Sequence, residues 1–489
     1  MSEPKASQSA AALPDVRQPD PNMQLRKKKG MSETKTVKGH VRDMTSGGIM
    51  NHILMFAVPM VIANIFQQLY GLVDTMVAGQ NLGDTAIAAI GATTALYGFI
   101  LNFAIGINAG CSIIVTQYFG AHDVKTLRES IKGTLILNTL TTLILTVLAL
   151  VFMKPLLNFM NVPESIYNDA YLYITVICAG MFATVAYNMG AGILRAFGNS
   201  RAPLIFVIIG SVLHIVLDYV FIAWMKTGVV GASVATIISN GVAAALSFIF
   251  IFKNYKEYLP TKEEKKVPHL LMADLARVGV AMGLTFSVID LGDVIYGSAN
   301  NSLGDLYITA YSSARRILNV FMVPLNTPAA AGSTFVGQNW GAGKYDRIRS
   351  AIRKVLLLEV VVGLVLFAIG FVFAEPMVRI VSSSEDPAVI SNAVRVLHWF
   401  FPMFAPLGLL FAFRTAMQGM GHTTPAVIAG GIEMAVKVLS ALFVVERIGF
   451  FATCITEPTT WVINAIWLAC ADLYLRKRIY PDLPGSIGQ

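Results

Sequence analysis

Long apolar runs, separated by short polar segments, follow one another along almost the whole chain. Twelve of these runs are long enough to cross a bilayer as helices, which takes about 20 residues each. Several contain Gly and Pro, which spanning helices tolerate. The pattern therefore predicts an all-α polytopic membrane protein with twelve transmembrane helices. The predicted spans are 51–78, 84–110, 131–153, 166–190, 201–223, 229–252, 270–299, 305–330, 351–373, 388–412, 423–445 and 449–475.

Composition agrees with a membrane protein and gives no sign of an enzyme. The 489 residues are 55% hydrophobic and only 13% charged, whereas soluble domains are about 25% charged. The four cysteines lie in apolar runs and lack the spacing of a metal site. The GAGK sequence at 341–344 resembles the end of a phosphate-binding loop, but Tyr345 stands where that loop needs Ser or Thr. We expect no cofactor, no metal and no nucleic-acid partner. Because the sequence shows no nucleotide-binding loop, any uphill transport would have to use an ion gradient.

The basic residues are distributed unevenly between alternate loops. With a cytosolic N-terminus, most of the 37 Lys and Arg residues fall in inner segments, where we also count Arg195 and Arg414. Because Lys and Arg mark the cytoplasmic side of a membrane protein, we expect a multi-pass protein of the plasma membrane with both termini in the cytoplasm. The basic residues of the outer loops are Lys154, Lys226, Arg379 and Arg447.

Three short motifs recur in the same order in the second half of the chain. The shift between copies is 221 to 223 residues, which is unlikely to arise three times by chance. The pairs are 81–84 with 302–305, 117–121 with 338–342, and 195–198 with 418–421. An even number of spans in each half makes the two repeats parallel, and transporters built in this way bind substrate between the halves.

The repeat predicts two pseudo-symmetric six-helix lobes joined by a charged cytosolic linker. Polar sequence precedes the first span, with no apolar core of a signal peptide, so we expect a disordered cytosolic tail there. The predicted divisions are the tail 1–45, the N-terminal lobe 46–252, the linker 253–269, the C-terminal lobe 270–478 and a second tail 479–489.

The first span carries a polar stripe. Its members recur at intervals of about three, four and seven residues, so a helix places them on one face. They are Asn64, Gln67, Gln68 and Asp74. An ionisable side chain inside a membrane helix indicates a functional site. The alternative is a polar packing seam with Asp74 reaching the membrane edge.

Three further polar residues are expected at the depth of Asp74. His214 and Asp218 lie one helical turn apart in span five, and Thr236 follows in span six. Counted at about 1.5 Å per residue, all four lie in the outer leaflet of the N-terminal lobe. Two carboxylates in a low dielectric need a cation, or one of them binds a proton. Histidine, with an ordinary pKa near 6.5, is suited to a proton relay; the alternative is a structural His–Asp hydrogen bond.

The second half carries a different set of charged residues inside its spans, so the two lobes do not hold equivalent sites. Glu433 and Lys437, one turn apart, form either a structural ion pair or part of a substrate path or gate. The same alternatives apply to the whole set, which consists of Asp290, Asp293, Arg315, Arg395, His398, Glu433, Lys437 and Glu457.

Several short motifs together resemble one family, the multidrug and toxic compound extrusion (MATE) transporters. They are LVDTMVAG at 72–79, LGD at 82–84 and 303–305, QYFGA at 117–121, QNWGA at 338–342, RAFGNSRAP at 195–203 and QGMGHTTP at 418–425. The resemblance covers residues 45–478. It implies two six-helix lobes around a central cleft, and antiport of organic, often cationic, compounds against protons or sodium.

The resemblance also implies roles for particular residues. Prokaryotic MATE transporters bind the coupling cation with an Asp of helix one, an Asn and an Asp of helix five, and a Thr of helix six, which match Asp74, His214, Asp218 and Thr236. The replacement of the Asn by His214 removes a carbonyl ligand, so we expect protons rather than sodium to be the coupling ion.

The sequence hypothesis is a secondary-active exporter of small organic molecules that functions as a monomer in the lipid bilayer. An alternative is a flippase for a lipid-linked precursor, since related exporter families share the lobe architecture. A channel or a non-transporting receptor ranks lower, because neither needs coupling acids or a strict repeat.

Overall fold

The computed structural model describes residues 42–262, 264, 266–382 and 384–479, without the side chains of 69, 70, 72–75, 78, 84, 478 and 479. All of the predicted tail 479–489 except residue 479, and nearly all of the tail 1–45, thus lie outside the described residues. Within them the chain is almost entirely helical. The helices are α1 (Ile49–Leu82), α2 (Asp84–Gly120), α3 (Val124–Phe159), α4 (Glu164–Ala179), α5 (Met181–Ala196), α6 (Arg201–Asp218), α7 (Val229–Asn254), α8 (His269–Asn301), α9 (Asp305–Gly341), α10 (Tyr345–Val372), α11 (Ala374–Val381), α12 (Pro387–Phe400), α13 (Phe404–Gly419), α14 (Thr424–Leu439), α15 (Val445–Ile448) and α16 (Phe451–Ile479).

These helices account for the predicted spans. Nine helical stretches of the described chain are long and apolar enough to cross a membrane, and the pair α4 and α5, bent by 42°, is a tenth. The two remaining long helices, α9 and α16, contain the charged residues Arg315, Arg316 and Glu457. The predicted all-α polytopic fold is confirmed.

Span four differs from the prediction because it is broken at Gly180. A side chain there would overlap Ile237 of α7, so glycine permits the close approach of the two segments. The span therefore consists of α4 and α5 rather than one continuous helix.

Local geometry repeats along with the sequence. Gly83 and Gly304, each at the start of a lobe's second helix, both have left-handed φ angles, of 79° and 102°. Glycine adopts this conformation at little cost. A short π-helical segment, Tyr219–Trp224, follows α6, and another, Ser440–Val444, follows α14. The two lobes thus share features that a repeat of apolar runs alone would not require.

The lobes pack closely along α2 and α8. A Cβ atom on Gly106 would lie 2.6 Å from the Cα atom of Gly283, and a Cβ atom on Gly110 would lie equally close to Gly279. The two backbones are therefore in direct contact, which larger side chains would prevent.

The repeated glutamines join the lobes where α2, α5, α9 and α13 end. Gln117 donates a hydrogen bond from Nε2 to the carbonyl oxygen of Gly419, at 2.9 Å. Gln338, its equivalent in the repeat, donates from Nε2 to the carbonyl oxygen of Ala196, at 3.0 Å. We call these four residues, with Gly120 and Gly341, the lobe junction. Its reciprocal bonds are those expected of two repeats related by a pseudo-twofold axis.

The glycines of the lobe junction bring the two backbones into contact. A Cβ atom on Gly341 would overlap the Gln117 carbonyl group and lie 3.0 Å from the Ala121 nitrogen. A Cβ atom on Gly120 would overlap the backbone of Gln338 in the same way. The motifs that repeat in the sequence therefore pack against each other in the fold.

The segment before α1 crosses the lobe junction. The Arg42 backbone N–H donates to the Phe197 carbonyl oxygen in the N-terminal lobe. The Met44 backbone N–H donates to Gln338 Oε1 at 2.9 Å, and Lys344 Nζ donates to the Thr45 carbonyl oxygen at 2.7 Å. Hydrogen bonds to both lobes hold this segment in place.

The linker between the lobes is also tied to the N-terminal lobe. Glu264 accepts hydrogen bonds from the backbone and hydroxyl of Thr261, and its carboxylate lies 3.4 Å from Arg128 Nη1 of α3. The hydrogen bonds from Thr261 are the main cause that lowers the pKa of Glu264 to about 2. The carboxylate therefore remains ionised and bound at physiological pH.

Candidate functional site in the N-terminal lobe

His214 connects α6 to α7. Its Nε2 atom lies 3.0 Å from the hydroxyl oxygen of Thr236, and its Nδ1 atom lies 3.2 Å from a carboxylate oxygen of Asp218. His214 is 3% exposed and Asp218 is fully buried. The helical spacing puts His214 and Asp218 on one face of α6, and the imidazole ring bridges from that face to the next helix.

The hydroxyl of Thr236 determines how many protons this bridge can hold. The hydroxyl is also 3.1 Å from the Ala232 carbonyl oxygen, to which it donates its single hydrogen. It then accepts a hydrogen bond from His214 Nε2–H. With Nε2 protonated, a neutral ring would turn the lone pair of Nδ1 toward Asp218, so a proton shared between ring and carboxyl group is the arrangement that avoids repulsion.

Loss of that proton can be accommodated without moving the helices. A neutral ring protonated on Nδ1 would donate to Asp218, and Nε2 would then accept from the Thr236 hydroxyl after the hydroxyl rotated away from Ala232. Hydroxyl rotors change partners readily. The His214–Asp218–Thr236 group thus has one hydrogen-bonding pattern with the extra proton and another without it.

The π-helical segment Tyr219–Trp224 begins directly after Asp218. Such segments occur often at functional sites. Sequence reasoning placed Asp218 near the outer end of its span but gave no sign of this change in helix geometry.

The polar stripe of span one is divided between two environments. Asn64 donates from Nδ2 to Thr327 Oγ1 of the other lobe, at 3.0 Å. Gln67 lines a pocket of its own lobe, and Gln68 is exposed. Asp74 lies in α1, but its side chain is outside the described part of the structure. Its predicted association with His214 therefore stays a prediction.

The pocket that contains Gln67 lies between α1, α5 and the first turn of α6. Among the described residues that line it, only Arg195, near the end of α5, is charged. The sequence pattern places Arg195 among the loop cations, and no motif indicates a pocket. The remaining lining residues are Met60, Ala63, Asn64, Tyr187, Asn188, Ser200, Pro203 and Leu204.

The C-terminal lobe contains two groups of charged residues, and the members of each group contact one another. In the first, Arg315 Nη1 of α9 lies 2.7 Å from Glu457 Oε2 of α16, and the Tyr311 hydroxyl donates to Glu457 Oε1 at 3.3 Å. Glu457 is 4% exposed. The pair joins two helices that are far apart in sequence.

In the second group, Lys437 is bound by two carboxylates. It donates to Glu433 Oε1 at 3.1 Å, as the one-turn spacing predicts, and also to Asp293 of α8. Arg414 Nη2 lies 3.5 Å from the other oxygen of Glu433. The sequence pattern predicts Arg414 to be a loop cation, but it lies inside α13, which extends beyond the predicted end of span ten.

The remaining predicted residues of this lobe lie elsewhere. Asp290 accepts a hydrogen bond from Asn102 of α2 at 2.8 Å, so it joins the two lobes. Arg395 is exposed on α12. The ring of His398 stacks on Phe371 of α10, with ring centroids 4.2 Å apart. The structure therefore does not bring Arg395 and His398 to the charged groups.

The fold and the buried ionisable residues define a two-lobed polytopic transporter. Comparison with known proteins supplies the family: the MatE profile matches residues 59–220 and 279–443. The chain belongs to the MATE family of membrane transporters.

Similar proteins agree with this assignment. The probable multidrug resistance protein YoeA of Bacillus subtilis is 26% identical over 409 residues, which are 81% of this chain and 88% of that protein. The FAD transporter of Shewanella oneidensis is 22% identical and covers 84% of this chain and 90% of its own. A MATE family transporter crystallised in an outward-facing conformation has a TM-score of 0.84 at 24% identity, covering 92% of this chain and 99% of its own. The structural likeness shows the shared fold.

Proposed function

We propose that this protein exports small organic molecules, often cationic, in exchange for protons. The observation that carries the proposal is the position of His214 between Asp218 and Thr236. This group can hold one proton in a buried position and can release it by a change of tautomer. Buried ionisable groups in transporters commonly serve such a relay.

A proton fits this group better than a sodium ion does. Hard cations need several oxygen ligands. Here the imidazole ring lies between the carboxylate of Asp218 and the hydroxyl of Thr236, and its nitrogens contact both. A cation bound to both oxygens would have to displace the ring. We therefore favour proton coupling, with Asp74 as a further participant.

The lobe junction suggests how access could alternate. Core clusters that combine both lobes contain Phe56 with Phe335, and Ile107 with Leu275, all nearer to the lobe junction than to the opposite helix ends. We propose that the lobe junction faces the cytoplasm and that the cleft opens outward in this state. The bonds of Gln117 and Gln338 would break when the lobes rock to the other state.

The proposal places the protein in the plasma membrane with both termini in the cytoplasm. Both lobes belong to one chain, so a monomer contains the complete cleft. Relatives named as multidrug resistance proteins support small-molecule export as the class of function.

Transport by the purified protein in proteoliposomes tests the coupling assignment. We expect Asp218→Asn to abolish efflux of a fluorescent organic cation driven by an imposed pH gradient, because an amide cannot carry the proton. An imposed sodium gradient should drive no efflux in the unmodified protein. The matched control is Asp274→Asn, which changes a carboxylate whose side chain is 48% exposed. Equal pH-driven efflux by both variants, with both eluting as folded protein, would reject the assignment.

A further inference from the structure

Arg195 is a cation without a counter-charge in the described part of the chain. It lies in the last turn of α5, is partly buried and lines the pocket described above. Its side chain forms no ion pair or hydrogen bond with any described residue. A guanidinium group keeps its charge in proteins, and buried charges are normally paired. An unpaired arginine that faces a pocket therefore indicates an anionic ligand.

The polar groups around Arg195 are suited to the same ligand. The described lining residues include no carboxylate. Asn188 donates one amide N–H to the Thr184 carbonyl oxygen, which leaves its second N–H available. Gln67 presents an exposed side-chain amide, and Ser200 adds a hydroxyl. Each can donate a hydrogen bond to an oxyanion, and bonds to a charged acceptor are stronger than neutral ones.

The first turn of α6 gives the pocket a second source of positive potential. Ser200, at the N-cap, and Pro203 and Leu204, in the first turn, belong to the lining. The Asn199 side-chain oxygen accepts a hydrogen bond from the Ala202 N–H at the start of this helix, and Pro203 has no N–H. The helix dipole still favours an anion at this end. The dipole and Arg195 therefore act in the same direction.

Apolar side chains complete the pocket. Met60 and Ala63 of α1 face it together with Pro203 and Leu204 of α6. These surfaces are suited to an aromatic or aliphatic body and not to a small inorganic ion.

We propose that this pocket binds the carboxylate or phosphate group of an amphiphilic transported molecule, with Arg195 as its main partner. The substrates would then include zwitterionic and anionic compounds as well as organic cations. That the bound molecule is transported rests on the function proposed above, whereas the anion-binding pocket rests on the lining residues alone.

A pair of dyes that differ in one group tests the pocket. The probes are a xanthene dye with a free carboxylate and its methyl ester, titrated by fluorescence anisotropy against the full chain in detergent. We expect the unmodified protein to prefer the acid, and Arg195→Gln to reduce the acid-to-ester preference by about tenfold or more, as for loss of a hydrogen bond to a charged group. Arg195→Lys should keep part of the preference. The control, Arg201→Gln, changes an exposed arginine six residues away that is not in the lining.

An acid-to-ester preference that is the same in Arg195→Gln and the unmodified protein would overturn the proposal. If Arg195→Gln does not yield folded protein, Asn188→Ala and Arg195→Lys take its place, and an unchanged preference in both has the same meaning. Competition by short-chain phosphatidic acid, inorganic phosphate and short-chain phosphatidylcholine identifies the source of the anion. Arg195-dependent binding of the phosphatidic acid without Arg195-dependent binding of the dye acid would assign the pocket to lipid headgroups and overturn the substrate proposal.

The same dyes separate this inference from the proposed function. Efflux of the ester under a pH gradient tests export, and the binding preference tests the pocket. Arg195-dependent binding without gradient-driven efflux of either dye would reject the function and keep the anion site. Gradient-driven efflux with no effect of Arg195→Gln on the binding preference would keep the proposed function and reject the anion site.

Discussion

A methyl group at Gly341 should prevent the lobe junction from closing. In the structure, a Cβ atom at this position would overlap the Gln117 carbonyl group, with 2.7 Å to the carbonyl carbon and 3.0 Å to the Ala121 nitrogen. Non-bonded heavy atoms prefer about 3.5–4.0 Å. The obstacle is backbone, which cannot rotate away as a side chain could. Because the Gln117 carbonyl oxygen would lie closer to the Cβ atom than either of these atoms, Gly341→Ala requires the two lobes to separate by roughly 1.5–2 Å at this contact.

The cost can be estimated from overpacked protein interiors. Inserting a methyl group without space typically costs about 1–3 kcal/mol. Since 1.4 kcal/mol corresponds to a tenfold change in an equilibrium constant, the ratio of the state with a closed lobe junction to the alternative state should fall by about five- to 150-fold. A transporter whose two states differ by only a few kcal/mol would change its predominant state.

Distance measurements by electron paramagnetic resonance report this change. Spin labels at Gln80→Cys and Ser302→Cys would occupy exposed positions on the two lobes, away from the lobe junction. The exposed Cys470 is replaced by Ser to avoid background labelling. We expect Gly341→Ala to shift the distance distribution from longer to shorter distances, because opening at the lobe junction is coupled to closing at the other end.

Gly91→Ala in α2 is the control, since a Cβ atom there would have no neighbour within 4 Å. A Gly341→Ala distribution that matches the Gly91→Ala distribution would contradict this expectation. It would mean that the contact relaxes locally and does not link the lobes.

Two further substitutions test the ionisable groups. His214→Asn supplies an amide oxygen in place of the imidazole ring, so we expect efflux in proteoliposomes to become sensitive to an imposed sodium gradient and less sensitive to a pH gradient; an unchanged ion dependence would contradict this. Arg315→Met leaves Glu457 buried without its cation, which should lower stability in detergent by an amount at the lower end of the about 3–5 kcal/mol typical of broken buried pairs, because the Arg315 side chain is 28% exposed. Thermal unfolding checks the second expectation: adding Glu457→Gln should recover part of the loss, and a shift no larger than that of Arg379→Met in an exposed pair would show that the buried pair contributes little.

Much of the fold could be predicted because a helix that crosses a membrane requires a long apolar run, and such runs are visible in the sequence. The apolar runs indicated the spans, and the repeat indicated two lobes. The repeat did not indicate that Gln117 and Gln338 would donate to opposite lobes at one junction. That contact depends on the pseudo-twofold arrangement of the lobes, which a linear repeat does not reveal.

The candidate site was predictable where its residues share a helix or a depth. The one-turn spacing of His214 and Asp218 was visible, and counting residues from the helix ends placed Thr236 at a similar depth. The contact of Arg315 with Glu457 was not predictable, since it joins α9 to α16 across 142 positions. The position of Arg195 in a pocket was not predictable from the sequence, because a cation near a helix end is usually solvated.

We propose that the His214–Asp218 pair carries the proton that is exchanged for substrate. The most direct measurement is the release of protons when substrate is added to the purified protein in weakly buffered detergent solution, followed with a pH-sensitive dye. We expect release by the unmodified protein, no release by Asp218→Asn and no effect of added sodium. Equal release by the unmodified protein and Asp218→Asn would contradict it.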